Sequence, residues 1–129
     1  MAKEPILIVD DNPVNLKLIR VLLAGEGYDV RTAGDAREAL GILTDFSPRL
    51  ILMDLQLPGM DGLELMRRIK GGLATKDTII VALTAYAMKG DEEKALSAGC
   101  DGYITKPIDT RILPGVVAGY LRDGDGDAS

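Results

Sequence analysis

Histidine is absent from the 129 residues, and cysteine occurs once, at Cys100. The first absence removes Ser-His-Asp and Cys-His catalysis and the usual zinc sites, and it means that the chain cannot carry a phosphohistidine of its own. The second removes intrachain disulfides and cysteine-cluster metal sites, so Cys100 reads as a small buried hydrophobe. Tryptophan is missing and aromatic residues make up only 4% of a chain that is 47% apolar, which makes the expected core aliphatic. No apolar run approaches the roughly 18 residues that span a bilayer. The N-terminus does not read as a secretory signal, because strand-like sequence begins at Pro5. A cytoplasmic address without a membrane partner is therefore expected. The net charge of −5 argues against an electrostatic grip on nucleic acid.

What the chain does contain is organised around Leu50-Ile51-Leu52-Met53-Asp54, four apolar residues running into a carboxylate. A run apolar at every position reads as a strand buried on both faces, as in the middle of a parallel sheet. Leu57-Pro58-Gly59-Met60-Asp61-Gly62 follows at once as a loop dense in turn formers. Asp54 is thus placed at the carboxyl end of a central strand, where open α/β sheets bind their ligands.

The remainder alternates strand-like with helix-like segments, on a length that suits one domain. Pro5 to Asp10 is apolar until it ends in acid; Asn12 then caps a helix with Pro13 at its first position, and Leu18, Val21 and Leu22 are its expected buried stripe. Tyr28 to Ala33 alternates as a half-exposed edge strand does. Asp35 opens a second helix facing inward through Ala39, Leu40 and Leu43, and Asp61 opens a third with Leu65, Met66 and Ile69 buried. Thr78 to Leu83 is another continuous apolar run. A short fourth helix starts on Asp91, Glu92 and Glu93, as the helix dipole favours, and closes at Gly99. Gly102 to Thr105 is a brief fifth strand, and Asp109 caps a last helix with Ile112, Leu113, Val116, Val117, Tyr120 and Leu121 along one side. Pro114 falls inside that helix, which must either begin after Asp109 or be kinked; Gly115 and Gly119 weaken it further.

Strands one, three and four read as central and two and five as edges. That fits a doubly wound, flavodoxin-like (βα)5 three-layer sandwich, a parallel five-stranded sheet of order 2-1-3-4-5. One domain over residues 1–122 is expected, followed by a disordered acidic tail over 123–129. The tail resembles the start of a calcium loop but lacks the glycine at loop position six and the glutamate at twelve.

In that sheet Asp10, Asp11 and Asp54 converge at one edge. Two unit charges about 4 Å apart cost about 4 kcal/mol at an effective dielectric near 20, so the cluster calls for protonation or a cation. Magnesium suits such oxygen ligands, because it accepts one or two carboxylates and keeps several waters. Thr84 ends strand four and Lys106 follows strand five, adding a hydroxyl and a fixed positive charge. A metal, a lysine and a hydroxyl are what a transferring phosphoryl group needs, with a carboxylate as nucleophile.

Val9-Asp10-Asp11-Asn12, Met53-Asp54, Leu57-Pro58-Gly59-Met60-Asp61-Gly62, Leu83-Thr84-Ala85 and Lys106-Pro107 together resemble the signature of response-regulator receiver domains (CheY-like), over about residues 5 to 121. Ala85 to Glu93 and Ala98-Gly99-Cys100-Asp101 further resemble single-domain regulators of the DivK type and the receivers of hybrid kinases. The resemblance implies that Asp54 is the phosphoacceptor, served by a histidine kinase or a histidine phosphotransfer protein. It implies Mg2+, with Mn2+ as the alternative ion, on the side chains of Asp11 and Asp54 and the backbone carbonyl of Gln56, with Asp10 helping through water. Lys106 would pair with a phosphoryl oxygen, Thr84 and Tyr103 would move together as a switch, and the bond before Pro107 would be cis. The readout face would be the fourth helix, fifth strand and fifth helix, meeting a downstream protein. Under this resemblance the protein is a signalling switch, a monomer or weak dimer, and not an enzyme beyond its own phosphorylation and dephosphorylation.

The stand-alone form is favoured by Met1 and the short tail, with a receiver cut from a hybrid kinase as the alternative. A flavin-binding electron carrier would share the sheet order but needs a Gly/Ser/Thr phosphate loop after strand one, where Asp10-Asp11-Asn12 stands. An aspartate-based phosphatase usually begins with acids spaced D-x-D and needs a substrate cap; the adjacent Asp10-Asp11 pair does not supply the first.

Overall fold

In the computed structural model the described residues are 4–55, 62–73, 75–84, 93 and 96–126, with side chains given for all of these but 84 and 123–126. The elements are β1 (Pro5–Val9), α1 (Pro13–Gly25), β2 (Asp29–Ala33), α2 (Ala36–Ile42), β3 (Leu50–Asp54), α3 (Gly62–Gly71), β4 (Ile79–Thr84), β5 (Gly102–Thr105) and the C-terminal helix α4 (Leu113–Gly126). The strands pair in parallel in the order β2-β1-β3-β4-β5.

Alternation along the central strands builds the layers, since successive side chains leave a strand on opposite faces. Leu7, Val9, Ile51, Met53, Ile80 and Ala82 pack on one face with Ala39 of α2 and Leu65, Met66 and Ile69 of α3. Ile6, Ile8, Leu50, Leu52, Val81 and Leu83 pack on the other with Ile19 and Leu23 of α1 and Leu113, Val117 and Leu121 of α4. Residues Leu50 to Met53 have no exposed surface at all, and each such side chain contributes roughly 1.5–3 kcal/mol by leaving water. The stretch that holds Asp54 is accordingly a deeply anchored rod, as are Ile6 to Val9 and Ile80 to Leu83 on either side of it.

The helices depart from expectation in two places. In α1 the buried residues are Ile19 and Leu23, with Leu16 and Leu22 partly covered, while Leu18 and Val21 are 46% and 56% exposed. Both sets satisfy helical spacing, so periodicity alone left the phase open. The cap fixes where the helix starts: the Asn12 side chain accepts from Val14 N and Asn15 N, and Pro13 occupies the first turn. At the other end, the last helix does not begin at Asp109. The Asp109 carboxylate accepts from Arg111 N at 2.9 Å, and its carbonyl accepts from Ile112 N at 3.2 Å and Leu113 N at 3.1 Å. This turn delays the helix to Leu113 and leaves Ile112 exposed. Pro114 then sits in the first turn, where its missing N–H costs nothing.

That helix runs on to Gly126, past Arg122, where the domain was expected to end, and residues 127–129 lie outside the described set. Most of the expected fourth helix also lies outside it; residues 93 and 96–98 are helical. Among the described residues no helix is long and apolar enough to cross a membrane.

Candidate functional site

The carboxyl ends of β1, β3 and β5 bring the site together. Asp10 N donates to Ala33 O at 3.1 Å, which continues the β1–β2 pairing one residue past the strand and seats Asp10 at the sheet edge with no exposure. Beside it, Asp54 is the buried last residue of β3, and its neighbour Leu55 N donates to Leu83 O at 3.2 Å. Lys106 follows β5 and reaches back across the edge. Its Nζ lies 2.9 Å from Asp54 Oδ2 and 3.1 Å from Asp10 Oδ2, so one ammonium bridges two carboxylates.

Asp11, by contrast, is exposed. Even so, Asp10, Asp11 and Asp54 each offer a carboxylate oxygen, and these oxygens lie within 4.8 Å of one another. Lys106 offsets one of the three negative charges. A hard divalent cation on oxygen ligands would offset the rest, so the residues present fit Mg2+. Thr84 is the last residue of β4, at the same edge. Tyr103 lies in β5, half-buried against the core that α2 and α3 cover. The Lys106–Pro107 peptide bond is cis. Gln56, expected to offer a carbonyl, is outside the described residues, as are 57–61.

One participant was missed in the sequence. Asp10 Oδ1 accepts from Asn12 N at 2.9 Å, and Asn15 Nδ2 stands 3.4 Å from Asp10 Oδ2, next to Lys106. The signal was available: Asn15 sits in the first turn of α1, and helical side chains tilt toward the N-terminus, so its amide leans back over the acid pair.

Lys106 carries the electrostatics of the site. Burial, the largest single influence, would push its ammonium down. The hydrogen bonds to Asp54 and then Asp10, with their charges, together outweigh it and hold the group above the usual lysine value of 10.5. The folded protein therefore binds this proton more tightly than the unfolded chain does. The stability so gained is fully present below the unfolded value and is lost as pH rises through the higher folded one. In Mg2+-free buffer, the melting-temperature gap between wild type and Lys106→Met is expected to narrow once pH passes about 10.5. A gap constant from about pH 9 to 12 would contradict the pairing.

Comparison with known proteins agrees with this geometry. The family model described as the response regulator receiver domain matches residues 6–118. The chain belongs to the response-regulator receiver family. The polar-differentiation response regulator DivK of Brucella ovis is 40% identical over 118 residues, covering 92% of this chain and 96% of that protein. A receiver domain protein from Methanospirillum hungatei superposes with a TM-score of 0.90 at 31% identity, covering 98% of this chain and 99% of its own. The receiver domain of a sensor histidine kinase from Pseudomonas aeruginosa, solved with a magnesium ion coordinated in its active site cleft, gives 0.84 at 35% identity, covering 93% and 98%. The receiver described here is thus a two-component signalling switch of the DivK-like, CheY-like kind, with an acidic pocket of the type that holds Mg2+ in its family.

Proposed function

We propose that this receiver takes a phosphoryl group onto Asp54 from a phosphohistidine on a partner protein, and that the phosphorylated form changes which proteins the receiver binds. The observation that carries this reading is the Lys106 ammonium bridging Asp54 and Asp10 inside a cluster of three carboxylates. In the transfer, an Asp54 carboxylate oxygen forms a bond to phosphorus while the P–N bond to the partner's imidazole breaks. The bonding pair stays on that nitrogen, and the ring leaves as neutral imidazole because its other nitrogen already carries a proton in the phosphohistidine donor. Lys106, already 2.9 Å from Asp54 Oδ2, would follow the charge onto a phosphoryl oxygen, and Thr84 would offer its hydroxyl. Asp11 and Asp54 would hold Mg2+ by their side chains and Gln56 by its carbonyl, with Asp10 assisting through water; bound there, the ion supplies charge neutralisation at the phosphoryl oxygens.

Two surfaces support the protein–protein part. Val14, Leu18 and Val21 stand on one side of α1, exposed by 72%, 46% and 56%. Leu18 also lines a groove of about 430 Å³ with Asn15, Ile19, Lys106, Pro107 and Ile108. An apolar helix face running into the reactive pocket suits a helical donor that delivers its histidine to Asp54. On the far side of Pro107 and Ile108, a second groove of about 280 Å³ lies between β5 and α4, walled by Tyr103, Ile104, Ile112 and Val116. With the helix before β5, this is the face we assign to the downstream target.

A receiver belonging to a hybrid histidine kinase is the second reading, favoured by the likeness to the Pseudomonas kinase receiver. In either setting the chemistry is confined to the receiver's own phosphorylation and dephosphorylation. The test is transfer of label from histidine-phosphorylated donors, a kinase and a phosphotransfer protein. Label should pass to the receiver in Mg2+, stop on chelation, and need at least about tenfold more Mg2+ in Asp11→Ala. Label that passes equally well under chelation would refute the metal-assisted reading.

A further inference from the structure

We infer that Gly62 is a positioning residue for phosphoryl transfer, because the approach of α3 to the acceptor strand leaves no room for a side chain there. This rests on Asp54 being the acceptor. Gly62 is the buried first residue of α3, and its N–H donates to Leu55 O at 3.2 Å. A Cβ on Gly62 would lie 2.7 Å from Leu55 Cα and 2.8 Å from both Asp54 O and Leu55 O.

All three of those atoms are backbone, and none can swing aside as the end of a side chain would. The reason for glycine here is contact rather than conformation, since positive φ among the described residues is confined to Gly27 and Gly99. The peptide that would have to give way links Asp54 to Leu55. On its other side it is tied to β4 through Leu55 N and Leu83 O. Upstream, Leu50 to Met53 are fully buried and cannot retreat. A methyl group at position 62 therefore works against the backbone of the acceptor itself, whose carboxylate lies 2.9 Å from Lys106 Nζ. Misplacing a reacting group by even an ångström costs up to about a hundredfold in rate.

Gly71 on the same helix is the internal control, because a Cβ there would meet nothing within 4 Å. Phosphate uptake from a small acyl phosphate in Mg2+ is to be followed for wild type, Gly62→Ala and Gly71→Ala, well below each melting temperature. Uptake per folded molecule is expected to fall about 10- to 100-fold in Gly62→Ala and to stay within about twofold in Gly71→Ala. Amide NMR shifts should change first at Asp54, Leu55 and Leu83 in the Gly62 variant, a signature that mere loss of stability does not produce.

Wild-type uptake with an unchanged rate in Gly62→Ala would overturn the inference and leave Asp54 standing as acceptor. Absent uptake in wild type would instead overturn the acceptor reading, and the inference with it. Should Gly62→Ala not fold, the wild-type Gly62 amide decides: it must shift together with that of Leu55 when the protein is phosphorylated, and an unmoved resonance overturns the inference.

Discussion

Lys106→Met is expected to cost on the order of 3–5 kcal/mol of folding stability in Mg2+-free buffer, because it strands two buried carboxylates on one missing cation. Asp10 has no exposed surface and the Asp54 side chain is 7% exposed, so both carboxylates are largely desolvated where they share the ammonium. Their oxygens lie within 4.8 Å, where like charges repel by roughly 3–4 kcal/mol at an effective dielectric near 20. The double variant Lys106→Met/Asp54→Asn should recover much of the loss, since it removes one of the two stranded charges. Denaturant unfolding of the two single variants and the double variant closes the cycle. Saturating Mg2+ should also restore part of the stability of Lys106→Met. A cost below about 1 kcal/mol, the range of exposed ion pairs, would show that Lys106 does not bridge the acids. Arg111, paired with Asp109 but itself 88% exposed, provides the contrast within the same protein.

The layered sheet was legible because the central strands are continuous apolar runs and the helices between them carry caps. Leu50 to Met53 could be placed in the interior, and Asp54 at its edge, from burial logic alone. The joining of Asp10, Asp54 and Lys106 followed from the strand order, because all three end or follow strands at one edge. What escaped was phase and local turn chemistry. In α1, the sets around Leu18 and Ile19 fit the helical period equally well, and only the packed structure shows that Leu18 and Val21 face out. At the last helix, Asp109 has the composition of a cap but spends its side chain on an Arg111 turn, which moves the start to Leu113. Asn15 was overlooked because a polar residue in a first helical turn ordinarily meets solvent. Its reach to Asp10 depends on α1 lying directly over the edge of β1. The spatial meaning of Gly62 was out of reach, because the crowding that a Cβ there would meet from the Asp54 and Leu55 backbone has no signature in composition.

The second large effect concerns the acceptor. Asp54→Asn keeps the size of the side chain and a hydrogen-bond acceptor for Lys106, and it removes one negative charge from a crowded cluster. The fold should therefore be retained or gain stability. Reactivity should not survive, because a neutral amide is a poor nucleophile toward phosphorus and Asp10 is already committed to Asn12, Lys106 and Asn15. Asp11 is exposed and lies outside the grip of that lysine's close contacts. Intact mass after incubation with Mg2+ and a small acyl-phosphate donor puts this most directly. The account predicts one added phosphoryl group on the wild-type protein and none on Asp54→Asn. No addition to the wild type, or an addition that persists in Asp54→Asn, would contradict it.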